Sequence, residues 1–376
     1  MDLTKFDNIR PYNDSEVHPA LERIVANPLL DNIANYIFPG QDVGMFKQLL
    51  LSCNSKEDFQ VKVMSGVVQK IINDTTAGLT YGGVENFEGG KKYLIVSNHR
   101  DIVLDSAFIQ LIIHQNGIQT TEIAVGDNLI TSSFIEDICR SNKMIKVVRS
   151  TSPREVYTTS KILSEYIRYN VANQESSVWI AQRNGRTKDG ADLTEQGLLK
   201  MFDMSGSGDF VKDFTELHIL PTSISYEFEP CDIQKAVEIY ISRRQKYVKA
   251  EGEDLKSILT GIMQPKGRVH IQFNDPVSEQ EVLAAAELDK NERFKALAGC
   301  MDNKIVANFK LWPNNYIAYD MLNSTNEYTN EYTQQEKETF EQYMAQKMAK
   351  VDADKDELRE IFLSIYANPV VGKRNL

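Results

Sequence analysis

The chain has 376 residues, 42% of them hydrophobic and 25% charged, and carries a net charge of −11 with a pI near 5.1. That acidity excludes nucleic acid as a natural partner, and it argues against strong electrostatic docking on anionic lipid unless basic loops gather on one face. Cys53, Cys139, Cys231 and Cys300 show no paired spacing, which speaks against a disulfide framework or a zinc site and fits a reducing compartment.

The first residues, Met1 to Asp7, lack the charged-then-apolar build of a signal peptide. No segment reaches the roughly 18 uninterrupted apolar residues of a membrane span. A cytoplasmic protein is expected, with contact at the inner face of the membrane if its product is a lipid.

Three regions follow in chain order. Residues 1–85 read as an N-terminal helical segment: Leu21, Ile24 and Val25, then Leu29, Leu30, Ile33 and Ile37, then Val61, Met64, Val67, Val68 and Ile71 recur at helical spacing. Breaks fall at Asn27-Pro28 and Pro39-Gly40. A packing cap on a sheet and a lipid-binding role are both open to this segment. Residues 86–277 alternate strand and helix, so the fold class is α/β with a mixed sheet flanked by helices.

Within that region, Tyr93 to Val96 reads as a strand that ends at Ser97-Asn98, presents His99 and passes into a helical pattern. A histidine at the rim of a sheet, with a carboxylate one turn on, can act as a general base oriented by the acid. Asp105 and Asp101 are both in range, and Asp105 is preferred because Ile102, Val103 and Leu104 after Asp101 read as buried packing. The duller reading is that His99 only caps the turn.

Met144 to Arg149 is a further strand-like run ending in a cation. Val178 to Ala181 then leads into a loop carrying Arg183, Gly185, Arg186, Lys188 and Gly190. Glycines there let backbone approach closely, and guanidinium forks hold phosphate oxygens in pairs. Either that loop binds an anion or it is a solvated charged loop. His218 to Glu227 supplies another strand, and Arg268 to Phe273 closes the region.

Residues 278–376 read as a C-terminal helical extension. Ser278-x-x-Glu281 and Thr333-x-x-Glu336 are capping boxes, and Leu358, Ile361, Phe362 and Ile365 form a stripe that Asn368-Pro369 should end. Three decoys fail on their own terms. His99-Arg-Asp101 spells a kinase triplet without a glycine-rich loop or an Asp-Phe-Gly, and Gly82-Gly83 and Gly89-Gly90 lack a following Gly-Lys-Ser/Thr. Asp352, Asp354 and Asp356 resemble a calcium loop but have Glu357 and Leu363 at the required glycine and glutamate positions, so they read as a helix start. Trp179 reads as core, and His18, His114, His218 and His270 as structural.

Taken in order, Asn98-His-Arg with Asp105, Val147-Val-Arg149, Gly185-Arg-Thr-Lys188 and Leu220-Pro-Thr-Ser resemble the glycerolipid acyltransferases, in particular the glycerol-3-phosphate acyltransferase branch. The likeness spans about residues 90 to 277. It implies a glycerol-3-phosphate acyltransferase-like catalytic domain that moves a fatty acyl group from acyl-CoA or acyl carrier protein to a hydroxyl of glycerol-3-phosphate or lysophosphatidate, in phospholipid biosynthesis. His99 and Asp105 would be catalytic, and Arg149, Arg183, Gly185, Arg186 and Lys188 would hold the acceptor phosphate. No metal is implied, and no cofactor beyond the acyl co-substrate.

The chain departs from the family pattern twice. His99 and Asp105 stand one residue further apart than the family's His-x4-Asp, and Arg183 and Asn184 replace the glutamate and first glycine of the third motif. Those departures keep two variants open: an amino-acid-headed lysolipid as acceptor, or a non-catalytic homologue that binds lipid or an acyl carrier.

Overall fold

The computed structural model describes residues 3–150 and 152–376. Met1 and Asp2, at the start of the segment read above as lacking a signal peptide, lie outside the described residues.

Seven strands form one mixed sheet: β1 (Thr76–Gly82), β2 (Leu94–Ser97), β3 (Glu122–Gly126), β4 (Met144–Val147), β5 (Val178–Ala181), β6 (Ile219–Tyr226) and β7 (Gly267–Phe273), in the order β1-β7-β6-β2-β5-β3-β4. The five strands from β6 to β4 are mutually parallel, while β7 runs antiparallel to β6 and β1 parallel to β7. Parallel neighbours need covered crossovers, so helices lie on both faces.

Burial on both faces explains why the central strands read as short unbroken apolar runs. In β2, Leu94 and Val96 enter one core with Val178, Ile180, Leu163, Ile167, Leu199 and Phe202. Ile95 points the other way, to join Trp179, Phe108, Ile109 and Ile112. Each such side chain contributes about 1.5–3 kcal/mol when fully buried. The helix Leu104–Gln115, which carries Asp105, is thereby pinned under the strand that presents His99.

The regional boundaries at residues 85 and 277 do not separate independent cores. Residues 76–82, placed above in the helical segment, are an edge strand of the sheet. The helices Glu279–Ala286 and Glu292–Asn308, placed in the extension, supply Val282, Phe294, Leu297 and Met301 to the same core as β2 and β5. The remaining C-terminal helices, Pro313–Asn323, Gln334–Ala349 and Lys355–Arg374, form their own cluster with the helix Asp232–Ser242.

The last helix does not end at Asn368-Pro369 but runs to Arg374. Proline removes one backbone donor, leaving the Ile365 carbonyl without its helical partner. That carbonyl abuts Gly190, where a Cβ would stand 2.1 Å from it, and burial of Tyr366 and Val370 holds the helix together beyond the proline. Asp354 caps its start by accepting from Glu357 N at 2.9 Å, so the acidic run is a helix start as its sequence indicated. No helix among the described residues is long and apolar enough to cross a membrane.

Candidate active site

The site begins where β2 stops. Ser97 Oγ accepts from Trp179 Nε1 at 3.0 Å and donates to the Asn98 carbonyl at 2.8 Å. Asn98 is fully buried and bridges to β6, accepting from Ile224 N at 2.7 Å and donating to Ile224 O at 2.9 Å. His99 follows at the C-terminal end of the parallel strand, the edge at which open α/β sheets bind ligands.

His99 Nδ1 lies 2.9 Å from Asp105 Oδ2, and the imidazole is 13% exposed. The same oxygen accepts from the backbone of Arg100 at 2.6 Å and of Asp101 at 3.0 Å, while Tyr226 Oη donates to Asp105 Oδ1 at 2.7 Å. Four donors thus fix a carboxylate with no solvent exposure. With Asp105 as acceptor, the ring proton sits on Nδ1 and Nε2 keeps a free lone pair.

The extra residue in the His-to-Asp spacing is absorbed by a bend at 101–103, before the helix opens at Leu104. Asp101 does a different job: its Oδ1 accepts from Val103 N at 2.9 Å and Leu104 N at 2.8 Å, capping that helix. Its Oδ2 is buried without a partner against Gly261. Burial first, then the neighbouring Asp105 charge, push the Asp101 carboxyl above its ordinary range.

His99 opens on a cavity of about 470 Å³. Val125, Leu129, Val147, Leu163, Leu198 and Met201 make its apolar wall, and Arg149, Arg183, Gly185 and Glu195 its polar one. Trp179 is 3% exposed and a core residue as read above, yet it also lines the cavity and meets the His99 ring edge-on at 5.9 Å between centroids. Arg149 is exposed at the end of β4 and lies over Gly126, where a Cβ would come within 2.8 Å of its Nε.

Two residues expected at the anion site stand elsewhere. Arg186 does not line the cavity; it is 8% exposed, its Nη1 has no partner, and its charge acts on Asp101, Lys188 and Cys231. Lys188 also lies off the cavity, paired with Glu238 at 2.5 Å. Its amine is pushed down to about 8 by burial and then by Arg186. Three consecutive residues of the loop after β5, Arg183, Asn184 and Gly185, line the opening, and the chain beyond them carries Arg186 and Lys188 away from it. Gly185 has a positive φ of 76°, while the close approach at Gly190 is to the Ile365 carbonyl rather than to a ligand.

Behind His99 lies a buried ionic cluster that the sequence did not reveal. Arg100, 1% exposed, contacts Asp192 Oδ2 at 2.5 Å and Glu229 Oε2 at 3.2 Å. Lys235 Nζ contacts Glu229 Oε1 at 2.5 Å and donates to the Arg100 carbonyl at 2.8 Å. Two cations face two carboxylates, so the buried charge balances. Asp192 further accepts from Asn98 Nδ2 and Thr187 Oγ1, both at 2.9 Å. Glu195, also unforeseen, accepts from Asn184 N at 3.2 Å and returns a carboxylate to a loop that lacks the expected glutamate. Its position ahead of the helix Gln196–Asp203 gave no functional signal.

His18, His218 and His270 hydrogen-bond to Cys53 O, Lys92 O and Thr80 Oγ1 respectively. Among the described residues no group of three or more His, Cys, Asp or Glu side chains is arranged to hold a metal ion.

Residues 78–225 match the family model of the acyltransferases. No curated protein matches the chain. Among solved structures, the 1-acyl-sn-glycerophosphate (LPA) acyltransferase PlsC from Thermotoga maritima aligns with 76% of this chain and 92% of its own, at 11% identity and a TM-score of 0.40. The matched segment carries the His99–Asp105 pair, the residues that line the cavity and four of the seven strands in full, and it is similar to the acyltransferases, in line with the glycerolipid-acyltransferase resemblance of its sequence.

Proposed function

We propose that the protein transfers a fatty acyl group from a thioester, acyl-CoA or acyl carrier protein, to a hydroxyl of glycerol-3-phosphate or lysophosphatidate. The single observation that supports it most is the Asp105-held imidazole opening on a largely apolar cavity with Arg149 and Arg183 in its wall.

His99 Nε2 removes the acceptor's hydroxyl proton as the oxygen attacks the thioester carbonyl. The C–O bond forms, the C–S bond breaks, and the proton held on Nε2 passes to the departing thiolate, so no covalent acyl-enzyme is needed. Asp105 steadies the imidazolium that forms between the two proton transfers. Holding both substrates at one imidazole supplies several kcal/mol of the acceleration, on the order of 7–11 in the best-oriented cases.

Arg149 and Arg183 hold the acceptor phosphate, and the apolar wall takes the start of the acyl chain. The loss of the third-motif acid leaves the headgroup the least constrained part of this reading, and an amino-acid-headed lysolipid remains its nearest variant. Contact with the inner membrane face is part of the same proposal, because lysophosphatidate resides in a bilayer.

The test is product identification by mass spectrometry after incubation with labelled acyl-CoA or acyl carrier protein and a panel of glycerol-3-phosphate, lysophosphatidate and amino-acid lysolipids. Acylated phosphate acceptor supports the proposal. Acylation of only the amino-acid lysolipids would reassign the headgroup, and thioester consumption with none of them would refute it.

A further inference from the structure

A second cavity, of about 440 Å³, opens at the far end of β3 from His99. The strand leaves at Gly126, in the wall of the catalytic cavity, and enters at Glu122, which lines this other space. Its volume falls in the range of small-molecule sites. Phe6, Glu122, Lys143, Tyr166 and Asn170 are its buried residues, and Asp7, Lys56, Tyr169 and Glu175 lie closer to solvent.

Glu122 is the part of this lining that packing does not explain. It is 7% exposed, and Tyr166 Oη donates to its Oε2 at 2.8 Å. Its Oε1 has no hydrogen-bond partner among the described residues, yet it is not sealed from solvent, so it is open to the cavity. Burial pushes the carboxyl up to about 7, against the Tyr166 hydrogen bond and the charges of Lys56 and Lys143. A half-satisfied acid of this kind is costly to keep for structure alone, and in a cleft it marks a binding group.

The cations around it are not equivalent. Lys143 Nζ is occupied by Glu57 at 2.5 Å and Thr120 Oγ1 at 2.6 Å, and Arg10 by Asp7 and Glu16, each at 2.7 Å. Lys56 makes no ion pair among the described residues; its charge reaches Glu122, but the two side chains do not meet. What stays unpaired in the lining is therefore Glu122 and Glu175 on one side and Lys56 on the other. Lys56 would repel a bare cation and Glu122 a bare anion, whereas a ligand carrying both charges satisfies each. Tyr166 and Tyr169, packed on Phe6 at 5.0 and 6.3 Å between ring centroids, supply an aromatic wall that an ammonium also favours.

We propose that this cavity is a second binding site, separate from the catalytic one, for a small zwitterion whose primary ammonium donates to Glu122 Oε1 and whose acidic group meets Lys56. An α-amino acid and a phosphorylated amino alcohol share that chemistry. The site uses none of the residues assigned to acyl transfer and stands or falls independently of that reading.

The test is isothermal titration calorimetry on the full chain at pH 8 with L-serine, L-phenylalanine and phosphoethanolamine. Ethanolamine and inorganic phosphate, each lacking one of the two charges, and glycine betaine, lacking the N–H donors, are the comparison probes. At least one zwitterion should bind about tenfold or more tighter than all three comparison probes, as a charge-assisted hydrogen bond allows. Glu122→Gln and Lys56→Gln should each weaken it by a similar factor, and His99→Ala should bind as the wild type does. Affinity should fall from pH 8 to pH 6 in the wild type, as Glu122 takes up a proton, and stay level in Glu122→Gln. Binding of the amino acids alone or of phosphoethanolamine alone supports the proposal and identifies the acidic group. No zwitterion binding at millimolar concentration, equal affinity for any comparison probe, wild-type affinity in both Glu122→Gln and Lys56→Gln, or loss of binding in His99→Ala overturns it.

Discussion

Thr187 donates its backbone N–H to the carbonyl of His99 at 2.8 Å. The loop that follows β5 is therefore fastened to the residue that carries the imidazole, and the two cannot shift independently. Lys235 grips the next carbonyl, that of Arg100, from the other side. The orientation of the ring is set by the backbone as much as by Asp105.

The two carboxylates near His99 should behave in opposite ways. Asp105→Asn removes the charged acceptor of the Nδ1 proton and should lower turnover by at least about 100-fold. Asp101→Asn keeps an oxygen for the helix cap and removes a buried charge whose Oδ2 has no partner, so it should retain activity. Because the Asp101 carboxyl is raised in the fold, its penalty grows as pH rises above the ordinary carboxylate range, and the variant should gain about 1 kcal/mol at pH 8 in urea unfolding. Equal losses of activity in both variants would remove the distinction.

The buried ionic cluster should fail when half of it is removed. Arg100→Met leaves Asp192 and Glu229 without that partner, and Lys235→Met strips Glu229 of its second; each should cost on the order of 3–5 kcal/mol. Urea denaturation measures the loss, and a cost below about 1 kcal/mol would show that the cluster does not hold the loop.

For the acceptor, Arg149→Ala and Arg183→Ala should each raise its KM by roughly 10-fold or more, as loss of a charge-assisted hydrogen bond does. The thioester KM should change little. Arg186→Ala, whose side chain lies behind the cavity wall, should affect the acceptor KM least of the three. A dominant effect at Arg186 would mean that the loop turns over when substrate binds.

Far from the site, Glu122 is buried at the start of β3 with Tyr166 Oη donating to it at 2.8 Å. Burial pushes its carboxyl up to about 7. A raised carboxyl favours the fold below its unfolded value and loses that contribution as pH climbs through 7. Stability should therefore fall by up to about 3 kcal/mol between pH 4.5 and 8 through this group alone, and Glu122→Gln should flatten that slope without touching acyl transfer. A slope identical in the two proteins would contradict this.

What was legible in the sequence follows from how local each signal is. Tyr93 to Asp105 contains a strand, a bend and a helix start within thirteen residues, so the pair at its end could be read directly. Arg149 and Arg183 stand at or just beyond the ends of strands, which places them at the rim. Arg186 and Lys188 could not be sorted from Arg183, because the facing of a loop depends on what it packs against, here the Glu229–Lys235 region and the last helix. Arg100, Asp192, Glu229 and Lys235 are scattered over 136 positions and meet only through the sheet. The strand Thr76–Gly82 was hidden by its two-sided exposure, since its burial pattern lacks the alternation that marks a half-buried strand.

The most direct measurement compares wild type and His99→Ala for transfer of a labelled acyl group from thioester to lysophosphatidate, with circular dichroism and thermal unfolding as controls for the fold. The account predicts a fall of at least about 100-fold in the variant with unfolding unchanged within a few degrees. Transfer at near wild-type rate by a folded His99→Ala protein would contradict it.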